Sequence, residues 1–244
     1  MKTAKVKTEE NALWETIKVI IQALLLAFIV RTFLFQPFTI PSGSMKSNLL
    51  IGDYLFVSKY SYGFSKHSIP YAPDLFSGRI MSSNPERGDV AVFKLPSNPS
   101  IDYIKRVVGL PGDKIQMKQG VLFINGTEVK KERIADYVDP ELGTSVPMYK
   151  ETLPNGVEHT TLDLTPLGNG DNTGVFEVPA GHYFMMGDNR DNSLDSRFDV
   201  GFVPLENFVG PAKVIFFSVS NGSHPLSFWK WPSDMRFDRF FKGI

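Results

Sequence analysis

The chain of 244 residues contains no cysteine. That excludes disulfides, thiolate catalysis and cysteine-ligated zinc or iron–sulfur sites. It also lacks net charge, with 26 Lys+Arg against 26 Asp+Glu, so it has no basic excess of the kind a general nucleic-acid binder carries. Histidine is scarce: His67, His159, His182 and His224 are the four. No G-x-S-x-G elbow is present for a Ser/His/Asp hydrolase, and no His-Glu pattern suggests a metal site. Beyond Gly52 helical periodicity is scarce too. At 42% apolar and 21% charged residues the chain is nonetheless a folding one. Phenylalanine is abundant, 20 residues against 8 Tyr and 3 Trp.

The longest apolar run lies near the N-terminus. Residues 1–12 are polar, with Lys2, Lys5 and Lys7, and residues 13–36 read as a transmembrane anchor. The clean core, Val19–Val30, is short for a span, but Lys18 and Arg31 sit where long side chains reach the interface. Leu13 to Phe35 as a helix covers about 34 Å, enough for a bilayer core. Pro37 ends it. A cleaved signal peptide is the rival, yet the stretch after Val30 is bulky where small residues are needed. A buried core helix is the other rival. The lysines before the span place the N-terminus in the cytoplasm and the body outside.

The rest reads as strands between Gly, Pro, Asn and Asp: Tyr54–Val57, Val90–Leu95, Tyr103–Val108, Lys114–Met117, Val121–Ile124, Phe176–Val178, Tyr183–Met186 and Lys213–Val219. Asn125-Gly126 is a two-residue hairpin signal. The fold expected is mostly β: an anchor helix followed by an antiparallel body, closed or partly closed. The catalytic β domain would comprise 37–124 and 175–244, with 125–174 an inserted small subdomain rich in polar and turn residues. GNGDNTG at 168–174 lacks phosphate-loop spacing and reads as a turn, as do Asn125-Gly126-Thr127 and Asn221-Gly222-Ser223.

Three motifs carry possible chemistry. PSGSM at 41–45 sets two hydroxyls around a glycine just beyond the anchor. Asp102–Asp113 contains a strand with Tyr103, Lys105 and Val107 on one face. A lysine wedged among apolar neighbours would be desolvated and its pKa lowered; taken alone, this motif fits a surface lysine on an edge strand better. GDNRDNSLDSR at 187–197 fits either a solvated loop or a polar network buttressing a site.

Taken together with LLIGDYLFVSKYSYG at 49–63, RGDVAVF at 87–93 and GFVP at 201–204, these motifs resemble bacterial type I signal peptidases, membrane-bound Ser/Lys endopeptidases. The resemblance covers most of the chain apart from 125–175. It implies that Ser44 is the nucleophile and Lys105 the general base. Ser42 and the Ser44 backbone N–H would form the oxyanion hole. Ser193 would position the lysine, Asp195 and Arg197 would be a supporting pair, and Asp188 a structural residue nearby. It further implies cleavage of preprotein signal peptides after small-x-small sites at the outer face of the cytoplasmic membrane. Preproteins and membrane lipid are then the partners, with no cofactor, metal or nucleic acid. A lysine base implies activity rising toward mildly alkaline pH.

Rivals stand beside this. Ser227-Phe228-Trp229-Lys230 fits S-x-x-K of penicillin-binding enzymes, but no K-T-G follows. His182 reads as structural. A membrane-anchored module that binds preproteins without cutting is the non-enzyme alternative. Phe28, Phe33, Phe35 and Phe38, with Phe228, Trp229, Trp231, Phe237, Phe240 and Phe241, either dip into the outer leaflet or lie in the core; composition leaves both open.

Overall fold

The computed structural model describes residues 2–139, 143–165, 167–220 and 231–244, with only the backbone described for 2–11 and 231–232. Asn221–Ser223, Ser227–Lys230 and the Phe228 and Trp229 side chains lie outside these residues, as does the Trp231 side chain.

Helix α1 spans Lys2–Ile29, so the polar segment before Leu13 is helical as well. A π-helical turn, Val30–Leu34, continues it. Ala12–Leu34 is long and apolar enough to cross a membrane, and only 6% of its most apolar stretch is buried. Among the described residues little covers this apolar surface beyond the contact of Phe33 with Phe64, which disfavours a core helix.

The chain then turns directly into strand β1 (Phe35–Thr39), with Pro37 inside it. Pro37 is tolerated because β1 is an edge strand with β2 (Asp53–Ser58) on one side. There follow β3 (Val90–Leu95), β4 (Asn98–Gly109), β5 (Lys114–Lys118), β6 (Val121–Ile124) and β7 (Thr127–Glu128). Next come β8 (Lys130–Val138), β9 (Ser145–Thr152), β10 (Glu158–Leu162) and β11 (Phe176–Glu177). Last are β12 (His182–Met186), β13 (Val203–Pro204), β14 (Phe208–Ser218) and β15 (Lys242–Gly243). Asn125 (φ 55°) and Gly126 (φ 80°) make the β6–β7 hairpin turn in the left-handed region expected of Asn-Gly.

The main sheet is antiparallel in the order β1-β2-β14-β3-β4-β12-β13, with β15 added on β14. Among the described residues it does not close. β14 bends through three register irregularities, pairing with β3 through Phe208–Pro211 and with β2 through Ala212–Ser218. A core of Ile40, Met45, Leu49, Leu55, Val57 and Ile215 lies under the segment 40–50. Two further clusters flank β4, one toward β5–β6 and one around Phe93, Tyr183 and Phe208.

Strands β8–β10 form a separate three-stranded antiparallel sheet. β8 is exposed or half-buried on both faces, so it carries no apolar alternation. This sheet reaches the body through β10: Leu162 N–H donates to Asp188 O at 2.8 Å, and Ser47 and Asn48 bond to Thr160.

An aromatic row runs across the anchor side of the sheet. Phe35 meets Phe56, Phe56 stacks on Phe216 at 4.2 Å, and Tyr54, Phe217, Phe240 and Phe237 follow. Phe28, Phe33, Phe35, Phe237 and Phe241 are exposed, whereas Phe38 packs against the core.

Candidate active site

Ser44 sits in a single 3₁₀ turn, Gly43–Met45. Met45 and Leu49 are fully buried on either side of Lys46–Asn48, and Leu49 N–H closes back on Met45 O at 2.8 Å. Two buried apolar anchors thus fix a segment too irregular to hold itself. The loop 187–197 clamps the same backbone: Asn189 N–H donates to Ser44 O and Asn189 Nδ2 to Gly43 O, both at 3.0 Å.

Lys105 stands on β4, paired with Ala91 of β3 on one side and one residue short of the β12 pairing that begins at Arg106 on the other. Its side chain runs past the Tyr103 ring, 5.2 Å from the centroid, and the residue is only 4% exposed. Lys105 Nζ lies 2.7 Å from Ser44 Oγ and 3.1 Å from Ile104 O. Burial lowers its pKa from the ordinary 10.5 to about 8, against an opposing pull from Asp195 and Asp188. Ser42 Oγ lies 3.3 Å from Ser44 Oγ.

Ser193 Oγ is buried beside the pair but has no hydrogen-bond partner among the described residues. Asp195 receives Arg197 Nε at 2.9 Å and Gly187 N–H at 3.0 Å. Asp188 accepts both Arg106 Nε and Nη2, at 2.8 and 2.7 Å, and Asn48 Nδ2 at 2.7 Å. Burial pushes the Asp188 carboxyl up, but Arg106 outweighs it and holds it below the usual carboxylate range. All seven residues singled out from the motifs therefore converge around one cleft or its immediate support.

The motifs did not disclose the rest of the support. Arg190 forks onto Glu151 of β9, with Nη1–Oε1 at 2.7 Å and both residues buried. His159 of β10 lies between Glu151 and Asp188, at 3.5 and 4.0 Å. Burial lowers its pKa to about 4, so it is neutral at neutral pH. The only sequence signal was a surplus of arginines in the two motifs, which need carboxylates if buried. Gly187 was also missed as a positional requirement: a Cβ there would lie 2.6 Å from Ser44 O and 2.5 Å from Ser193 Cβ. His182 merely contacts Ala180 O, 2.9 Å away.

The cleft has a volume of about 660 Å³ and is lined by Ser42, Ser44 and Lys105 together with Ile101, Tyr103 and Leu194. β12 pairs with β4 only from Arg106 onward, so Ile101–Lys105 present an unpaired backbone edge on that side. Nearby, Asp163, Asp171 and Asp191 bring carboxylate oxygens within 4.8 Å of one another. Lys131 pairs with Asp163, and Asp191 accepts Leu164 and Thr165 N–H, so the cluster ties these two residues to the cleft rim.

A serine hydroxyl against a buried, weakly basic lysine at the wall of an apolar cleft suits acyl transfer. The comparisons agree. Residues 13–217 match the family described as signal peptidase, peptidase S26. Signal peptidase I of Rickettsia typhi is 40% identical over 241 residues, covering 90% of this chain and 89% of that protein. That of Rickettsia akari is 39% identical, covering 98% and 94%. A crystal structure of a signal peptidase I from Enterococcus faecalis is 30% identical and covers 53% of this chain and 97% of that one; its TM-score, 0.33, is below what argues for a shared fold. Similarity running from the anchor helix to the last long strand is more than a shared motif, and the chain belongs to the peptidase S26 signal peptidases, which are serine endopeptidases.

Proposed function

We propose that Ser44 and Lys105 form the nucleophile–base pair that removes signal peptides from preproteins. The observation that carries this is the 2.7 Å approach of Lys105 Nζ to Ser44 Oγ at a buried site. With a pKa of about 8, roughly one lysine in ten is neutral at pH 7; at 10.5 it would be about one in three thousand. Neutral Lys105 takes the Ser44 proton as Oγ attacks the scissile carbonyl. The Ser44 N–H and the Ser42 hydroxyl donate to the developing oxyanion, where one such donor is commonly worth about 3 kcal/mol. Lys105 then protonates the departing amine. Next it deprotonates a water, which hydrolyses the acyl-enzyme and frees Ser44. Asp195–Arg197 and Arg106–Asp188 hold the walls, and Ser193 stands ready to fix the lysine once substrate fills the cleft.

The substrate enters as an extended strand along Ile101–Lys105, where among the described residues β12 does not pair. Alternate side chains then face the enzyme, so the residues one and three positions before the cut, small in signal peptides, lie on the side of Ser44. Anchor 13–36 holds the body at the membrane, with residues 1–12 in the cytoplasm and the body, 37–124 and 175–244 with insert 125–174, on the outer side. The aromatic row beside the anchor, exposed at Phe35 and Phe237 and half-buried between them, supports contact of the body with lipid. Incubating the detergent-solubilised chain with a preprotein tests the proposal: a product beginning just after a small-x-small site supports it. Preprotein bound but never cut favours the binding module.

A further inference from the structure

A second pocket, about 400 Å³, opens where the anchor leaves the membrane, at the edge of the core that lies against β1 and β2, with core Val209 in its wall. Arg31, Gln36, Lys59, His67, Lys94 and Asp102 are among its walls. It is distinct from the catalytic cleft, although Asp102 borders both.

Its charge is unbalanced. Lys59 is 1% exposed, and among the described residues its ammonium bonds neutral acceptors only, Gln36 Oε1 at 2.9 Å and His67 O at 3.3 Å. Of the charges that act on it most strongly among the described residues, Arg31, Lys94 and Arg79 oppose its ammonium and Asp102 favours it. Asp102 is already paired with Lys94 at 2.9 Å. A buried ammonium with no carboxylate of its own is costly unless an anion joins it. Burial and the neighbouring cations lower its pKa to about 8.

Position selects the anion. Arg31 is exposed in the last turn of the candidate span Ala12–Leu34, one helical turn from its end. Its long side chain therefore reaches the headgroup layer, beside exposed Phe33, Leu34 and Phe35. The groups present at that level in quantity are lipid phosphates.

We propose that this pocket takes the phosphodiester of an anionic phospholipid from the leaflet into which the anchor opens. Arg31 meets the phosphate at the mouth, Lys59 meets it at the base, and the acyl chains lie against α1. The proposal rests on the anchor crossing a bilayer and is independent of Ser44 chemistry.

The test uses the full chain in detergent, as Ser44→Ala so that cleavage plays no part. Native mass spectrometry follows the lipid retained from equimolar phosphatidylglycerol and phosphatidylcholine. The expected result is one phosphatidylglycerol per chain. Its occupancy falls about fivefold in Lys59→Met and again in Arg31→Gln, the usual effect of one cation near a membrane surface. Arg31 is exposed, so its variant keeps the test valid even if Lys59→Met does not fold. Equal retention of the two lipids, or unchanged retention in both variants, would overturn the proposal. So would inorganic phosphate protecting the protein from thermal unfolding as strongly as phosphatidylglycerol, which would make this a small-anion site. Lys59-dependent binding of a soluble acidic peptide without lipid retention would equally refute it.

Discussion

Replacing Lys105 by Met should stabilise the protein while abolishing cleavage. The lysine is 4% exposed and its folded pKa is about 8 against 10.5 when unfolded. Between these values the unfolded chain binds more protons than the folded one, so stability rises with pH from about 8 to 10.5. Below about 8 the fold carries the whole penalty of a buried ammonium, about 3 kcal/mol from that gap. Met fills a similar volume without charge. It forfeits the contacts to Ser44 Oγ and Ile104 O, worth about 1 kcal/mol. The net gain at pH 7 is then about 2 kcal/mol, or about 4–8 °C in melting temperature for a domain of this size. Thermal unfolding of both proteins in detergent at pH 7 and pH 10.5 measures it. The gain should disappear between about pH 9 and 10.5 and give way to a deficit of about 1 kcal/mol at pH 10.5, where the folded wild-type lysine is neutral and the lost contacts dominate. A Met variant less stable at pH 7, or a difference independent of pH, would refute the reasoning.

The same pKa sets the rate: cleavage by the wild type should rise as pH increases through about 8, and a profile governed by a group near 6.5 that disappears in His182→Ala would exclude the lysine base. Gly187→Ala pushes a methyl against Ser44 O, and kcat should drop about 100-fold or more on steady-state assay with the fold retained by circular dichroism. Asp188→Asn leaves Arg106 buried without its carboxylate, so chemical denaturation should register a loss of about 3–5 kcal/mol. Ser193→Ala removes a buried hydroxyl that has no partner among the described residues, so melting temperature should hold or rise slightly while kcat falls; a marked loss of stability would mean that the hydroxyl is bonded after all.

What the sequence disclosed was local. Val90–Leu95 and Val121–Ile124 alternate or run apolar between turn residues, and both strands appear at those bounds. Asn125-Gly126 dictates its turn whatever surrounds it. Strand β1 was hidden because Pro37 ends a helix and, on an edge, is equally at home in a strand. Strands β8–β10 were hidden because a ribbon that is wet on much of both faces has no period-2 signal. Lys105 was visible as a lysine on an apolar face, yet its burial depends on the 41–45 turn and β12 closing over it. Those partners lie far away in sequence, as do Arg106 and Asp188, separated by 82 positions, and Arg190 and Glu151, separated by 39. Gly187 gave no sign because its constraint is the carbonyl of a residue on another loop.

The central claim is tested most directly by mixing one preprotein with wild type, Ser44→Ala and Lys105→Ala in detergent and reading the products by mass spectrometry. The account predicts one cut, after a small-x-small site, by the wild type alone. Continued cleavage at that site by Ser44→Ala would contradict it.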